Sequence, residues 1–524
     1  MTSREMTDLQ RFAGRREGGP RVSAGAETLS GVGELLGRAA ATWPEHPAVR
    51  ETGGGRTLTY RQLTAAVEAQ AKTLTGAGVT PGDRVALRLP TSVDFAVAFF
   101  GALRAGAIAV PVSPQSPGPE LEQLVEHSGA KVVIHRDTDT ALPAGVIGLT
   151  PEADPDGAAG FADAGGTGED TAVISYTSGT TGPPRGVMLS HRALLANLAQ
   201  LSGVEGVLEH DDRVLITIPL FHVYGLGPGL LQAVAVGATA VLSERFEAQR
   251  TLADCAEHGV TTITGVPTMY AEFAALDAGE LGRGLATVRR MTSGAAPLHP
   301  KVLGAIREAT GLDVFEGYGL TECAPVVTST LVTGYPKPGS VGSPLPGVEL
   351  RLVDSDGTDQ AVPLDPDDVD DVFEAEGETG LVSIRGANLF SGYWPDGAHG
   401  PDDEGWFRTG DVGYLDVDGD LHLVDRANDL IIVNGFNVFP NEVESVIAQL
   451  PEVAEAAVVG VVDERSGEAV KAFVVPVSGA SLSEQQVVDQ CTAHLAGYKV
   501  PHAVEFAESL PHSATGKLRR MRLR

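Results

Sequence analysis

The sequence predicts an α/β protein: a large N-terminal domain of layered sheets and helices, then a small α+β domain. Three observations carry this. Strand and helix signals alternate through the early chain, the pattern of layered α/β architectures. The 524 residues correspond to roughly three to four domains of ordinary size. A compact set of helix and strand signals of its own begins after Arg426.

Taken in order, residues 1–27 are polar, carry Arg11, Arg15, Arg16 and Arg21, lack the apolar run of a signal peptide, and read as a frayed extension. Arg84–Leu89 reads as a strand, Val93–Ala105 as a helix stopped by Gly106, and Ile108–Val112 as a strand. Leu121–His127 reads as a helix before the strand Lys131–Ile134, and the Gly- and Asp-rich residues 151–170 as a loop feeding the strand Thr171–Tyr176. Val223–Leu242 is uncharged and about as long as a spanning helix. It also holds Gly225, Gly227, Pro228, Gly229 and Gly237, so a short helix ending at Gly237 and a buried strand Ala238–Leu242 explain it better. No transmembrane span is expected. Val348–Val353 and Gly380–Arg385 are strand-like, and Asp365–Glu378 reads as an acidic, solvated loop.

Beyond Arg426, Pro440 suits the first turn of a helix whose Val443, Val446, Ile447 and Leu450 share one face. Ala456–Val462 and Ala469–Val475 read as strands joined through Arg465-Ser-Gly467. Ser483 with Gln486 makes a capping box for a helix expected to stop at Gly497. The domain limits are therefore 28–426 and 427–524.

Composition narrows the function. With 43% hydrophobic and 20% charged residues the chain has apolar material for more than one core, which excludes disorder over most of its length. Against 69 Asp and Glu stand 38 Lys and Arg, a net charge of −31. Nucleic-acid binding, which draws most of its affinity from a basic surface, is excluded. Cys255, Cys323 and Cys491 are too far apart to read as a disulfide framework or clustered zinc site, and a reducing cytoplasm fits.

The most informative segment is Tyr176-Thr-Ser-Gly-Thr-Thr-Gly-Pro-Pro-Arg-Gly-Val187. It follows a strand and combines three glycines, four aliphatic hydroxyls and one cation. Glycines let backbone approach an anion, hydroxyls and N–H groups donate to phosphate oxygens, and Arg185 adds permanent charge. The spacing is not that of a Walker P-loop.

The segment resembles the phosphate loop of the acyl-adenylate-forming superfamily, which includes acyl-CoA synthetases, luciferases and peptide-synthetase adenylation domains. Further signatures follow in that family's order: Pro219-Leu-Phe-His-Val-Tyr-Gly225, Ser293-Gly-Ala-Ala-Pro297, Tyr318-Gly-Leu-Thr-Glu322, Trp406-Phe-Arg-Thr-Gly-Asp411, Asp425-Arg426 and Thr515-Gly-Lys517. The likeness runs from about residue 28 to the C-terminus.

The resemblance implies a site. Thr177, Ser178, Gly179, Thr180, Thr181 and Gly182 would cradle the ATP phosphates beside Arg185, which stands where the family usually has lysine; charge is kept, but a point donor becomes a planar fork. Gly294, Ala295 and Ala296 would lie against adenine, with Tyr318 and Gly319 covering it. Thr321 would contact the α-phosphate, and Glu322 would hold Mg²⁺, which offsets charge on the leaving pyrophosphate. Asp411 would accept both ribose hydroxyls beside Arg426. Lys517 matches the mobile catalytic lysine, although its basic tail (Arg519, Arg520, Arg522, Arg524) also reads as a solvated face or an anionic-membrane contact. The hinge falls on Asn428, and Gly435 on the loop facing the pantetheine tunnel. His222 would line or gate the acyl pocket, with Cys323 and Ala324 leaving room for an alkyl chain.

The implied reaction activates a carboxylate with ATP to an acyl-adenylate and then displaces AMP with a thiol. Three segments resemble bacterial long-chain fatty acid–CoA ligases most: Tyr318-Gly-Leu-Thr-Glu-Cys-Ala-Pro325, Asp429 through Glu442, and Ser466-Gly-Glu-Ala-Val-Lys471. CoA is the expected thiol, because the span from Trp394 to Trp406 is too short for the insertion that marks carrier-loading relatives. Expected cofactors and partners are thus ATP, Mg²⁺, CoA and a medium- or long-chain fatty acid. A weak membrane contact and a second copy of the chain are further candidates. The alternatives are an enzyme that loads a carrier protein or activates an aryl acid, and a non-catalytic nucleotide-binding descendant of the fold.

Overall fold

A computed structural model of the chain describes residues 29–136, 142–151, 165–177, 185–353, 379–426, 431–433, 436–463, 467–495, 497–512 and 518–523. The expected N-terminal extension, the acidic loop 365–378 and the expected hinge at Asn428 lie outside these residues.

Two sheets sandwich a pair of helices. In the first, six strands run in the order Ile147–Leu149, Ala130–His135, Arg84–Arg88, Ile108–Val112, Thr171–Thr177 and Arg185–Ser190. All neighbours are parallel except the last pair, which is antiparallel. The second sheet has nine strands among the described residues. Six of them are parallel neighbours: Pro47–Glu51, Thr239–Leu242, Arg213–Ile216, Thr262–Gly265, Arg290–Ser293 and Val314–Gly319.

Between the sheets, every residue of Val93–Arg104 except Arg104 is buried. A helix apolar on all sides needs a partner on each side. It has them in Tyr60–Gly76 and in one core that joins Val85 and Leu87 of the first sheet to Val214 and Ile216 of the second. Ser92 caps it, its hydroxyl accepting from Phe95 N–H. The uncharged run 223–242 folds as expected in outline. A π-helix Gly225–Leu231 continues into Gln232–Val236, Gly237 caps it at φ +76°, and the buried strand Thr239–Leu242 follows. No helix among the described residues is long and apolar enough to cross a membrane.

A third, antiparallel sheet contains Val348–Val353, Gly380–Gly386, Trp406–Leu415 and Leu421–Arg426 in chain order. Its turn at residues 416–420 carries three aspartates gathered on one cation. Lys337 Nζ lies 2.6 Å from carboxylate oxygens of Asp416 and Asp418, and Asp416 also accepts from His422 Nε2 at 2.7 Å.

In the C-terminal part, Val453–Asp463 pairs antiparallel with Gly467–Pro476, and Ala503–Phe506 adds a parallel strand. Pro440–Ile447 starts on its proline, and its Val443 and Ile447 share a core with Val458, Val474 and Val487. The Ser483–Gln486 capping box forms, but the helix it opens is Glu484–His494 and does not reach Gly497. Leu495 turns extended (φ −126°, ψ 155°) and packs partly into that core, so tertiary contact ends the helix before the glycine signal.

Candidate active site

Phosphate-loop candidates flank an antiparallel pairing. Thr177 ends one strand and stands opposite Arg185, which begins the next. Ser178, Gly179, Thr180, Thr181 and Gly182 lie outside the described residues. The exposed Arg185 has its Cζ 5.4 Å from the ring centre of Tyr393. Tyr393 is held there by backbone pairing of its neighbours with the same strand: Trp394 N–H donates to Gly186 O at 2.7 Å and Met188 N–H to Gly392 O at 3.1 Å.

In the nine-stranded sheet, Val314–Gly319 leads into a 3₁₀ turn, Thr321–Cys323, that carries Thr321 and Glu322. The Tyr393 hydroxyl donates to Glu322 Oε1 at 2.7 Å, and Phe390 N–H donates to the Glu322 carbonyl at 2.9 Å. Burial, then Glu322, raises the Tyr393 phenol, while Arg185 pulls the other way. The expected cation and the expected metal ligand are thus linked through a tyrosine that the sequence reading did not select. Only the neighbouring Trp394 entered that reading, as the start of a short span; the Glu322 partner of Tyr393, 71 residues away, is a tertiary fact.

Tyr318 and Asp411 also meet. The Tyr318 hydroxyl donates to Asp411 Oδ2 at 2.6 Å, both residues are buried, and burial followed by the Asp411 charge pushes the phenol well above its usual range. Asp411 sits opposite Arg426 in the backbone register.

The turns around these groups are tightly built. A Cβ on Gly319 would lie 2.0 Å from Pro325 O, so only glycine fits. One on Gly294 would meet the Tyr224 ring at 3.0 Å. Ala295 (φ +71°) and Ala324 (φ +63°) occupy the left-handed region without being glycine, which costs roughly 1–2 kcal/mol each. Such strain concentrates where a site needs a particular backbone path. Ala296 follows in the same loop, which Glu316 ties down by accepting from Leu298 N–H at 3.0 Å. Burial pushes the Glu316 carboxyl up to about 7.

At the expected acyl pocket the residues separate. His222 is half-buried at the head of the π-helix, its Nδ1 accepting from Tyr224 N–H at 3.2 Å. Ala324 is buried beside that helix, where a Cβ on Gly227 would lie 3.5 Å from Ala324 O and 3.0 Å from Pro325. Cys323 departs from expectation. It is fully buried in the cluster of Tyr318, Val327, Val382 and Leu421, where it fills core instead of lining an open slot.

Lys517 and Gly435 lie outside the described residues, but the chain after Lys517 is anchored. His512 bridges Leu518, Arg519 N–H donates to Pro511 O at 2.8 Å, and Arg520 reaches Glu444 Oε2 at 2.7 Å and Asn441 Oδ1 at 2.6 Å. Arg520 is therefore a paired, mostly buried cation and no part of a free basic face.

Set against known families, residues 36–394 match the sequence model of the AMP-binding enzyme and residues 442–517 that of its C-terminal domain. The chain belongs to the AMP-binding enzyme family. It is an AMP-forming acid–CoA ligase of the adenylate-forming superfamily, with the large α/β domain and small C-terminal domain of that group. One relative of this AMP-binding enzyme is a feruloyl-CoA synthase from an Amycolatopsis species, 36% identical over 93% of this chain and 97% of its own. Another is a long-chain-fatty-acid–CoA ligase from Escherichia coli, 34% identical over 94% of this chain and 93% of its own. Among solved structures, ATP-bound MatB from Rhodopseudomonas palustris superposes with a TM-score of 0.85 at 30% identity, covering 95% of this chain and 98% of that one.

Proposed function

We propose that this enzyme activates a medium- or long-chain fatty acid to its acyl-adenylate and transfers the acyl group to CoA, releasing pyrophosphate and AMP. The observation that carries the reading is that Tyr393 joins Arg185 to Glu322, while Tyr318, on the strand that leads to Glu322, holds Asp411 from a different sheet. Thr177 and Glu322 both lie at or just past the carboxyl ends of strands with parallel neighbours, the side on which α/β sheets bind nucleotides. The likeness to long-chain ligases in the segments around Glu322 and Gly435 supports the fatty acid.

A carboxylate is a poor electrophile, so an oxygen of the acid attacks the α-phosphorus of ATP and pyrophosphate leaves. In this reading Thr177 and residues 178–182 hold the phosphates, and Arg185 draws charge toward the leaving group. Thr321 contacts the α-phosphate. Gly294, Ala295 and Ala296 receive the adenine, and Asp411 receives the ribose with Arg426 beside it. Lys517 bridges carboxylate and phosphate as charge redistributes, so catalysis is mainly positioning and electrostatics. Glu322 fits a magnesium ion: it is a half-exposed hard oxygen donor, and its Oε2 has no hydrogen bond among the described residues. Mg²⁺ characteristically takes one or two carboxylates plus substrate phosphates, and would supply charge neutralisation there. For thioester formation the domain 427–524 turns about Asn428, bringing Gly435 to the thiol path; such a step commonly limits turnover.

A second reading has its own support. The feruloyl-CoA synthase is as similar to this chain as the fatty-acid ligase is, which favours an aryl acid as the alternative substrate. Purified enzyme incubated with ATP, Mg²⁺ and pooled C2–C18 and aryl acids, with and without CoA, separates them by mass spectrometry. A medium- or long-chain acyl-CoA with matching AMP is the expected product. An aryl-CoA alone would replace the fatty acid, and acyl-adenylate without any CoA product would point to a carrier protein.

A further inference from the structure

The position of Arg185 and the orientation of the Glu322 carboxylate have a common cause in the residue between them. Tyr393 uses two chemically different parts of its side chain. The ring face receives the Arg185 guanidinium, with Cζ 5.4 Å from its centre. The hydroxyl, 2.7 Å from Glu322 Oε1, occupies one carboxylate oxygen and leaves Oε2 without a hydrogen bond among the described residues. A planar guanidinium stacks on an aromatic face, and a lysine ammonium does so less well. The arginine standing where relatives carry lysine therefore has a partner suited to it.

Tyr393 is itself immobilised. Met188–Gly392 and Trp394–Gly186 backbone bonds clamp both sides of it to the strand that begins at Arg185, and Phe390 packs edge-on against its ring at 5.1 Å. Arg185 lies on the edge of the six-stranded sheet, and Glu322 follows a strand of the nine-stranded sheet. Tyr393 is thus the side chain through which one sheet's cation and the other sheet's carboxylate share a fixed geometry.

We propose that Tyr393 is a positioning residue for adenylation: by bonding Oε1 it fixes the Glu322 carboxylate that would hold the divalent cation, and its ring holds the Arg185 guanidinium that would meet the phosphates. The proposal rests on the adenylation reading above and assigns Tyr393 no contact with substrate. Hydrogen-bonded partners of metal-binding carboxylates typically matter 10–100-fold for metal affinity or activity.

The test uses the full-length chain and Mn²⁺ as a paramagnetic probe. Mn²⁺ binding is titrated by EPR in the presence of α,β-methylene-ATP, which cannot form an adenylate. Tyr393→Phe keeps the ring, and with it the face under Arg185, and removes only the hydroxyl with its bonds to Glu322 and Arg185. Its Mn²⁺ dissociation constant should rise about tenfold or more. Pyrophosphate release should need correspondingly more Mg²⁺, whereas thioester formation from supplied acyl-adenylate should stay at the wild-type rate. Tyr393→Leu, which also loses the stack, should additionally raise the KM for ATP. Mn²⁺ affinity in Tyr393→Phe equal to wild type would overturn the proposal, as would equal loss of both half-reactions, the mark of a merely structural tyrosine. If the wild-type enzyme released no pyrophosphate with any acid, the functional reading would fail separately, because the Mn²⁺ titration needs no turnover.

Discussion

Replacing Tyr318 with phenylalanine removes one oxygen from a ring that is otherwise completely packed. The ring keeps its place against Cys323, Val327 and Leu421, so no cavity opens. What disappears is the 2.6 Å hydrogen bond to Asp411 Oδ2. Because burial and the Asp411 charge raise the Tyr318 phenol, it remains a neutral donor throughout the working pH range. Hydrogen bonds to charged groups contribute about 1.5–3 kcal/mol, and a buried acceptor left short of a donor carries the full desolvation penalty. A loss of about 2 kcal/mol in a domain of this size lowers the melting temperature by about 2–3 °C. A second consequence is functional. Asp411, proposed to receive the ribose, loses one of the groups that orient it, so the rise in melting temperature on adding ATP should shrink along with ATP affinity. Differential scanning fluorimetry with and without ATP reads both effects, with Tyr335→Phe at an exposed position as control. A Tyr318→Phe protein that melts within about 1 °C of wild type and gains the same stabilisation from ATP would refute the reasoning.

His191 is buried and accepts from Val32 N–H at 3.0 Å, and burial lowers its pKa to about 4. The unfolded chain therefore binds the extra proton first, and stability present above pH 6.5 is lost as pH falls toward 4. Urea denaturation should show about 2 kcal/mol less stability at pH 5 than at pH 7 from this group, and His191→Gln should flatten that slope. Glu316 has the opposite sign: with its pKa raised to about 7, its stability at low pH is lost as pH rises through 7. Glu316→Gln, which keeps an acceptor for Leu298 N–H, should stabilise by about 2–3 kcal/mol at pH 8 and be neutral at pH 4; equal effects at both would refute the buried-acid account. Lys337→Ala leaves Asp416, Asp418 and Asp420 facing one another, so its melting temperature should fall and Asp418→Asn added to it should recover part of the loss. Lys517→Ala should abolish pyrophosphate formation yet spare thioester formation from supplied acyl-adenylate, and Gly435→Leu should do the reverse. Both half-reactions falling together in either variant would remove the assigned role.

Much of this molecule is local and therefore legible in one dimension. Ile108–Val112 and Val348–Val353 form with the expected limits, because a short apolar or alternating run bounded by turns has few other ways to pair. The same holds for the Gly237 cap, Pro440 at its helix start and the Ser483–Gln486 box, where each signal acts within one helical turn. Ordered motifs were enough to place the chain in its family. Helix termination at His494 was not legible, because the packing of Leu495 decided it.

Sequence alone thus determined the fold class and the family, since periodicity, capping and motif order are properties of neighbours in the chain. Tertiary structure decided which groups touch. Tyr393 joins Arg185 to Glu322, Tyr318 finds Asp411 93 residues on, Cys323 turns into core, and Arg520 is drawn from the basic tail onto Glu444. Each of these contacts depends on how sheets and helices distant in the chain are brought into register. That register is set by the burial of whole apolar faces, which no single motif records.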